Sequence, residues 1–476
     1  MTIAANLQAL LAQAHQLSAP GSYPEALKLY DQVLAQHPAS VRAQVGAGHC
    51  LTALGRVEEA RRRFEAGLAL EPQDVDALGA IAMLLVRSGA APAARTYAER
   101  GLALAPDDLQ SNGALAAADV AERRFAEAEA RLRVLIPRSP PAGWRATLLN
   151  LLGDALDGLE RRDEAWSAYV EAKTAMLGAQ AERVAPMAQA IKGSIDRLTG
   201  WLKAMQPGDW SDQSGFGPDT RDGASGHAFL LGFPRSGTTL LEYVLRAHPR
   251  VTTLGERPTL LEGEQDLLHA QGGLERLATL DEAEVRRYRE LYWQSVRRWS
   301  GDVRGRFVID KSPFNSFALP LIARLFPDAK VLLSLRDPRD VVLSCCRRLF
   351  APNGLTYLML SPQGAAALYA NAMYVAQISR MKLPLQIYDA RYEALVDDLE
   401  GEARRTLAFL GLDWAPGVAD FAKATGDRLI GTASGSQIKR GLYRGGAGQW
   451  RGYKAAMAPV MPTLEPWVKA FGYPDD

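Results

Sequence analysis

Six residues, Pro234-Arg235-Ser236-Gly237-Thr238-Thr239, concentrate more chemistry than any other stretch of this 476-residue chain. They follow a short apolar run, His227-Ala228-Phe229-Leu230-Leu231-Gly232, suited to a buried parallel strand. After them, Leu240, Leu241, Val244 and Leu245 fall on one face of a helix. A strand, a glycine-containing loop and a helix together make a phosphate cradle, because the N–H groups and dipole of a helix N-terminus favour an anion. The spacing Gly232-x4-Gly237 is that of a P-loop, but Thr238 stands where the lysine belongs. In ATPases that lysine spans the β- and γ-phosphates, and the next hydroxyl binds magnesium. Here the cation is Arg235, inside the loop, and no clear strand ends in a metal-binding aspartate. Both features argue against metal-dependent nucleotide hydrolysis. A degenerate nucleotide-binding scaffold is the alternative.

Four further residues could act with this loop. Lys330-Val331-Leu332-Leu333-Ser334-Leu335 reads as a buried strand that runs into Arg336-Asp337-Pro338, with Ser344 eight residues after Arg336. An arginine offers phosphate a planar fork, and a helical serine adds a hydroxyl. Alone, Arg-Asp-Pro is a common strand-to-helix turn. Glu256, after Gly255, is a carboxylate able to take a proton from a hydroxyl; a capping or salt-bridged glutamate is the alternative. Lys311 follows Val308-Ile309-Asp310 and could neutralise charge on a departing oxygen. It could also be a plain surface lysine.

These motifs resemble those of sulfotransferases that use 3′-phosphoadenylyl sulfate (PAPS), whose donor loop typically reads Pro-Lys/Arg-Ser-Gly-Thr-Thr. The resemblance implies that Arg235, Ser236, Gly237, Thr238 and Thr239 hold the 5′-phosphosulfate, and that Arg336 and Ser344 bind the 3′-phosphate. ATP lacks that phosphate, so the pair separates the two donors. Within the family the segment is most similar to the tyrosylprotein sulfotransferases and their bacterial relatives. His248-Pro249 and Gly255-Glu256 match it, which implies Glu256 as catalytic base. Asp310-Lys311-Ser312-Pro313-Phe314 resembles the family's Asn-Lys-Asp-Pro-Phe and implies Lys311 as its catalytic lysine. Tyr392 resembles a tyrosine on the adenine side of the donor. Thr432-Ala433-Ser434 and Gln437-Ile438-Lys439-Arg440 resemble a late loop closing over the donor. There Ser434 would assist the transition state, and Arg440 would face the 3′-phosphate. Gly445 to Arg451 resembles the closing Gly-x-Trp-Arg segment of the bacterial proteins. Arg257-Pro258 departs from the animal pattern. The resemblance covers essentially all of 226–476 and implies no metal. Adenosine 3′,5′-bisphosphate is then the product.

The first half must present something to this domain or space it. Prolines recur at 38, 72, 106 and 140, a period of 34 residues, and Ala26, Ala60, Ala94 and Ala128 share that period. A fixed period of this length means stacked helical pairs. Tyr30 and Phe64 sit four residues after their alanines, while Gly21, Gly55 and Gly89 mark turns. Gly153, Ala165, Tyr169 and Ala172 repeat the pattern with a shift of three. The array resembles tetratricopeptide repeats over residues 7–179, in units 7–40, 41–74, 75–108, 109–142 and 146–179. It weakens at Arg123, which replaces a turn glycine. Such arrays stack into a superhelix whose concave face often binds peptides; spacing or dimerising the second domain is the alternative. Residues 180–205 read as a capping helix, and 206–225, rich in Gly, Asp, Ser and Pro, as a linker.

The expected architecture is α plus α/β. An all-α tetratricopeptide-repeat solenoid with its cap (1–205) precedes a P-loop-like three-layer α/β/α sulfotransferase domain with a parallel sheet (226–476). A formal net charge of +1 excludes the strong basic excess that nucleic-acid binding favours. The three cysteines lack ligand spacing, so no zinc site or disulfide framework is expected, and a reducing cytoplasm is the simplest compartment. The first residues lack a basic, apolar leader pattern. No stretch approaches the ~20 apolar residues of a membrane span. The expected reaction moves a sulfuryl group from PAPS to an acceptor hydroxyl, with a peptide or protein tyrosine as first choice. A carbohydrate or small-molecule hydroxyl is second. A non-catalytic repeat scaffold and a kinase are the rivals from other classes.

Overall fold

The computed structural model describes residues 3–18, 22–138, 140–206, 209–210, 216, 219, 221–421 and 444–475. They fall into two compact units, one ending at Ala175 and one beginning at Met176.

The first unit is a row of helical pairs: α1 (Ile3–Leu17) with α2 (Tyr23–Gln36), α3 (Val41–Ala53) with α4 (Val57–Leu70), and α5 (Val75–Arg87) with α6 (Ala91–Leu104). They continue as α7 (Leu109–Ala121) with α8 (Phe125–Leu135), and α9 (Ala142–Gly158) with the start of α10 (Arg162–Ala204). The 34-residue period extends to the caps. Ser40, Asp74 and Asp108 each accept a hydrogen bond from the backbone N–H three residues on, starting α3, α5 and α7. Ala26, Ala60, Ala94, Ala128 and Ala165 are fully buried, so paired helices can approach closely. A Cβ on Gly48 would lie 2.6 Å from Phe64, and one on Gly153 would lie 2.5 Å from Tyr169. The aromatic rings thus fill the grooves that these glycines leave open. At the turns, Gly55 (φ 72°) and Gly89 (φ 82°) are left-handed, and so are Arg123 (φ 63°) and Glu160 (φ 62°). Arg123 therefore adopts the glycine's conformation, and the repeat geometry survives the lost signal. The expected cap is continuous with the last repeat: α10 runs for 43 residues, and its part from Met176 onward belongs to the second unit.

The second unit is built on five parallel strands: β1 (Gly226–Leu231), β2 (Val251–Thr253), β3 (Phe307–Lys311), β4 (Lys330–Leu335) and β5 (Gln386–Arg391), in the order β2-β3-β1-β4-β5. Every residue of β1 and β3 is buried. Successive strand residues face opposite sides, so both faces of the sheet centre are covered, the three-layer arrangement. The chain leaves β1, builds β2 and β3 on one side, then crosses to build β4 and β5 on the other. Such a sheet places ligands at the carboxyl ends of its strands, where the strand order reverses.

Candidate active site

The candidate residues stand at the carboxyl ends of all five strands. The loop 232–237 follows β1, Glu256 follows β2, Lys311 ends β3, Arg336 follows β4 and Tyr392 follows β5. One edge of the sheet therefore gathers side chains from across 157 positions of sequence, Arg235 to Tyr392.

The loop is tight and strained. A Cβ on Gly232 would lie 2.6 Å from the Ser334 carbonyl oxygen, and one on Gly237 (φ 103°) would lie 2.9 Å from the Tyr392 ring. Arg235 is left-handed at φ 73°, a conformation that costs a non-glycine residue on the order of 1–3 kcal/mol and clusters at functional sites. The loop is braced from the next strand: Ser334 Oγ donates to the Ser236 carbonyl at 3.0 Å, and Ser236 Oγ accepts from the Phe233 N–H at 3.3 Å. Helix α11 (Thr238–Arg246) starts at Gly237, with Thr238 and Thr239 buried in its first turn.

Basic groups converge on this loop. Arg235 Nε donates to Ser344 Oγ at 2.9 Å, which joins the first motif to the second. Arg336 donates to the Arg235 carbonyl at 3.0 Å, and its guanidinium lies 4.8 Å from the centre of the Tyr392 ring. Burial, together with the charges of Arg348 and Arg336, pushes Arg235 down to about 9. Arginines that repel one another at a helix N-terminus call for an anion. The closing segment is anchored here as well: Arg336 donates to the Gly446 carbonyl, while Asp340 accepts from the N–H groups of Gly448 (2.6 Å) and Trp450 (2.9 Å).

On the other side of β1, the Lys311 ammonium is 1% exposed and lies between two carboxylates, Glu256 at 2.7 Å and Glu242 at 3.3 Å. Burial works to depress Lys311, but Glu242 and Glu256 outweigh it and hold the ammonium above the usual lysine range. Its burial rules out the surface-lysine alternative. Glu256 is salt-bridged, and its side chain is 50% exposed, so it pairs with Lys311 and also meets solvent. Asp310 comes one residue before the end of β3 and is buried. Its Oδ2 accepts from Thr259 Oγ1 and, at 3.1 Å, from the Tyr292 hydroxyl, which also bonds His227 Nε2 at 2.7 Å. Burial raises Asp310 to about 7 and lowers His227 to about 3. An acidic residue near a strand end is thus present after all, but its partners are a threonine and a tyrosine. Among the described residues no three His, Cys, Asp or Glu side chains are grouped to hold a metal.

Arg235, Ser236, Gly237, Thr238, Thr239, Arg336, Ser344 and Tyr392 form one cluster; Glu256 and Lys311 form a pair at the ends of neighbouring strands. Ser434 and Arg440 lie outside the described residues. The sequence did not single out Glu242, Asp340 or Arg348. Glu242 carried no signal: it lies off the helix face formed by Leu240, Leu241, Val244 and Leu245, where an acid reads as solvated.

Residues 228–416 match the model of the Sulfotransferase family, and residues 17–84 that of the Tetratricopeptide repeat. Residues 228–416 are therefore similar to the Sulfotransferase family. An uncharacterized protein of Aquifex aeolicus is 28% identical over 52% of this chain and 33% of its own length. Protein-tyrosine sulfotransferase 1 of Danio rerio is 28% identical over 44% of this chain and 59% of its own length. Protein-tyrosine sulfotransferase 2 of Gallus gallus is 29% identical over 44% and 57%. The chain thus spans between a third and six-tenths of the length of these relatives. Among the described residues no helix is long and apolar enough to cross a membrane.

Proposed function

We propose that this chain transfers the sulfuryl group of PAPS to an acceptor hydroxyl, with a peptide or protein tyrosine as the acceptor class. The observation that carries the proposal is the joining of the two donor motifs: Arg235 reaches Ser344 at 2.9 Å, with Arg336 bonded to the same loop. A 3′-phosphorylated, 5′-phosphosulfated donor needs cations at two points, and this cluster supplies both. The residues fit such a donor on two counts. Arg336 Nε is buried without a hydrogen-bond partner among the described residues, and the left-handed Gly237 (φ 103°) turns the loop into the N-terminus of α11, which favours an anion.

When bound, PAPS supplies the sulfuryl group and a good leaving group. Arg235, Ser236, Gly237, Thr238 and Thr239 hold its 5′ end, while Arg336 and Ser344 hold its 3′-phosphate with Tyr392 beside them. Half-exposed Glu256 takes the proton of the acceptor hydroxyl. Buried Lys311 offsets charge on the departing oxygen, an electrostatic role that gains strength away from water. Ser434 and Arg440 join this set by family likeness. The names of the Danio rerio and Gallus gallus relatives support a tyrosine acceptor, and the repeats offer a surface for presenting it as a peptide. The Glu256–Lys311 pair favours an enzyme over a non-catalytic scaffold. Titration calorimetry with adenosine 3′,5′-bisphosphate and with magnesium-ATP tests the donor. The bisphosphate is expected to bind more tightly; the reverse order would sink the assignment.

A further inference from the structure

The structure gives Lys311 two carboxylate partners of different character. Glu256 is half exposed and open to an acceptor, whereas Glu242, on α11, is 7% exposed and shut away from one. The charged groups facing the ammonium among the described residues are Glu242 from α11, Glu256 from the segment after β2 and, from its own strand, Asp310, whose Oδ2 is held by Thr259 and Tyr292. A buried ammonium without a carboxylate is costly and sheds its proton. This matters at one moment. In the proposed transfer the acceptor O–H bond breaks and its proton passes to Glu256. The acceptor oxygen forms a bond to sulfur, and the bond from sulfur to the bridging oxygen breaks, leaving its electron pair on adenosine 3′,5′-bisphosphate. Glu256 is then neutral, so its attraction for Lys311 fades just as the ammonium is needed at the departing oxygen.

We propose that Glu242 is the permanent counter-ion of Lys311, a positioning residue that keeps the ammonium charged and aimed while Glu256 carries the acceptor's proton. The inference rests on the functional reading above for its role in transfer, but its ion-pair basis stands on geometry alone. Glu256 is the exchangeable partner and Glu242 the fixed one. Glu242 touches Lys311 and no reacting atom.

Two measurements on the full chain test this. In the first, the Lys311 side chain is titrated by NMR with labelled lysine, its signal assigned by loss in Lys311→Arg. Glu256→Gln should leave the midpoint within about one unit of the wild type, and Glu242→Gln with Glu256→Gln should lower it by about two units or more. A fall in Glu256→Gln as large as in the double variant, or no fall in the double variant, would overturn the proposal. In the second, transfer is followed against pH. For Glu242→Gln the alkaline limb of kcat should move to lower pH while KM for PAPS stays within about twofold, with partial rescue in Glu242→Asp. A uniform loss at every pH marks a merely structural role and contradicts the proposal. A wild-type protein that transfers no sulfuryl group overturns the functional reading and the role in transfer with it, whereas the lysine titration bears on Glu242 alone.

Discussion

Arg336 does three jobs through one planar group: it donates to the Arg235 carbonyl, donates to the Gly446 carbonyl and packs over Tyr392. Replacing it with alanine removes the fork proposed for the 3′-phosphate. Arg336→Ala should weaken adenosine 3′,5′-bisphosphate binding about tenfold to a hundredfold, and Arg336→Lys should recover only part, since an ammonium cannot reproduce the fork. Unchanged affinity would remove the residue from the site. Asp310 gives a test of a different kind. Its folded-state value of about 7 lies far above that of an unfolded carboxyl, about 4. Between those values the folded protein holds a proton the unfolded chain has lost, so this group's contribution falls as pH rises through the window. Asp310→Asn should therefore gain stability relative to the wild type as pH rises from about 4 to about 7, as read by urea unfolding. A pH-independent difference would contradict the burial of that carboxyl. At this scale much of the site was legible, because Arg235, Arg336 and Lys311 stand at strand ends marked by apolar runs. Glu242 and Asp340 were not, since a lone acid in a helix reads as a solvated face until the fold buries it.

Helices and strands convert those residues into a site by periodicity. The strand after 226 and the strand 330–335 read directly from unbroken apolar runs, which a parallel sheet covered on both faces requires. The repeats were legible from prolines, alanines and aromatics 34 residues apart. Two features escaped. Arg123 weakened the signal of the fourth unit because only glycine adopts a left-handed conformation cheaply, yet the surrounding helices hold it there. Helix α10 looked like two elements because no residue pattern marks where one unit ends inside a continuous helix. The caps at Ser40, Asp74 and Asp108 follow the period as well, and they can be tested. Asp74→Ala removes the acceptor of the 2.7 Å bond from Ala77 N–H and should cost about 1 kcal/mol in denaturant unfolding of the repeat unit. No measurable loss would mean that the cap contributes nothing to the start of α5.

At the scale of the molecule, a nearly neutral chain divides its work between a repeat unit that has no candidate chemistry among its described residues and a unit, similar to sulfotransferases over residues 228–416, that carries the candidate site. The net charge of +1 hides the local arrangement, in which arginines gather at one end of the sheet and a buried lysine sits between carboxylates at the same end. The proposed donor is written into the motifs of that unit. The acceptor is written into neither motif, because a hydroxyl needs only a base and an approach. The most direct measurement is therefore transfer itself: the full chain incubated with PAPS and a library of tyrosine peptides and glycans, read by mass. Acceptors heavier by one sulfuryl group are expected, tyrosine peptides foremost, with the signal lost in Glu256→Ala. No gained sulfuryl group on any acceptor, or full transfer by Glu256→Ala, would contradict the proposed reaction.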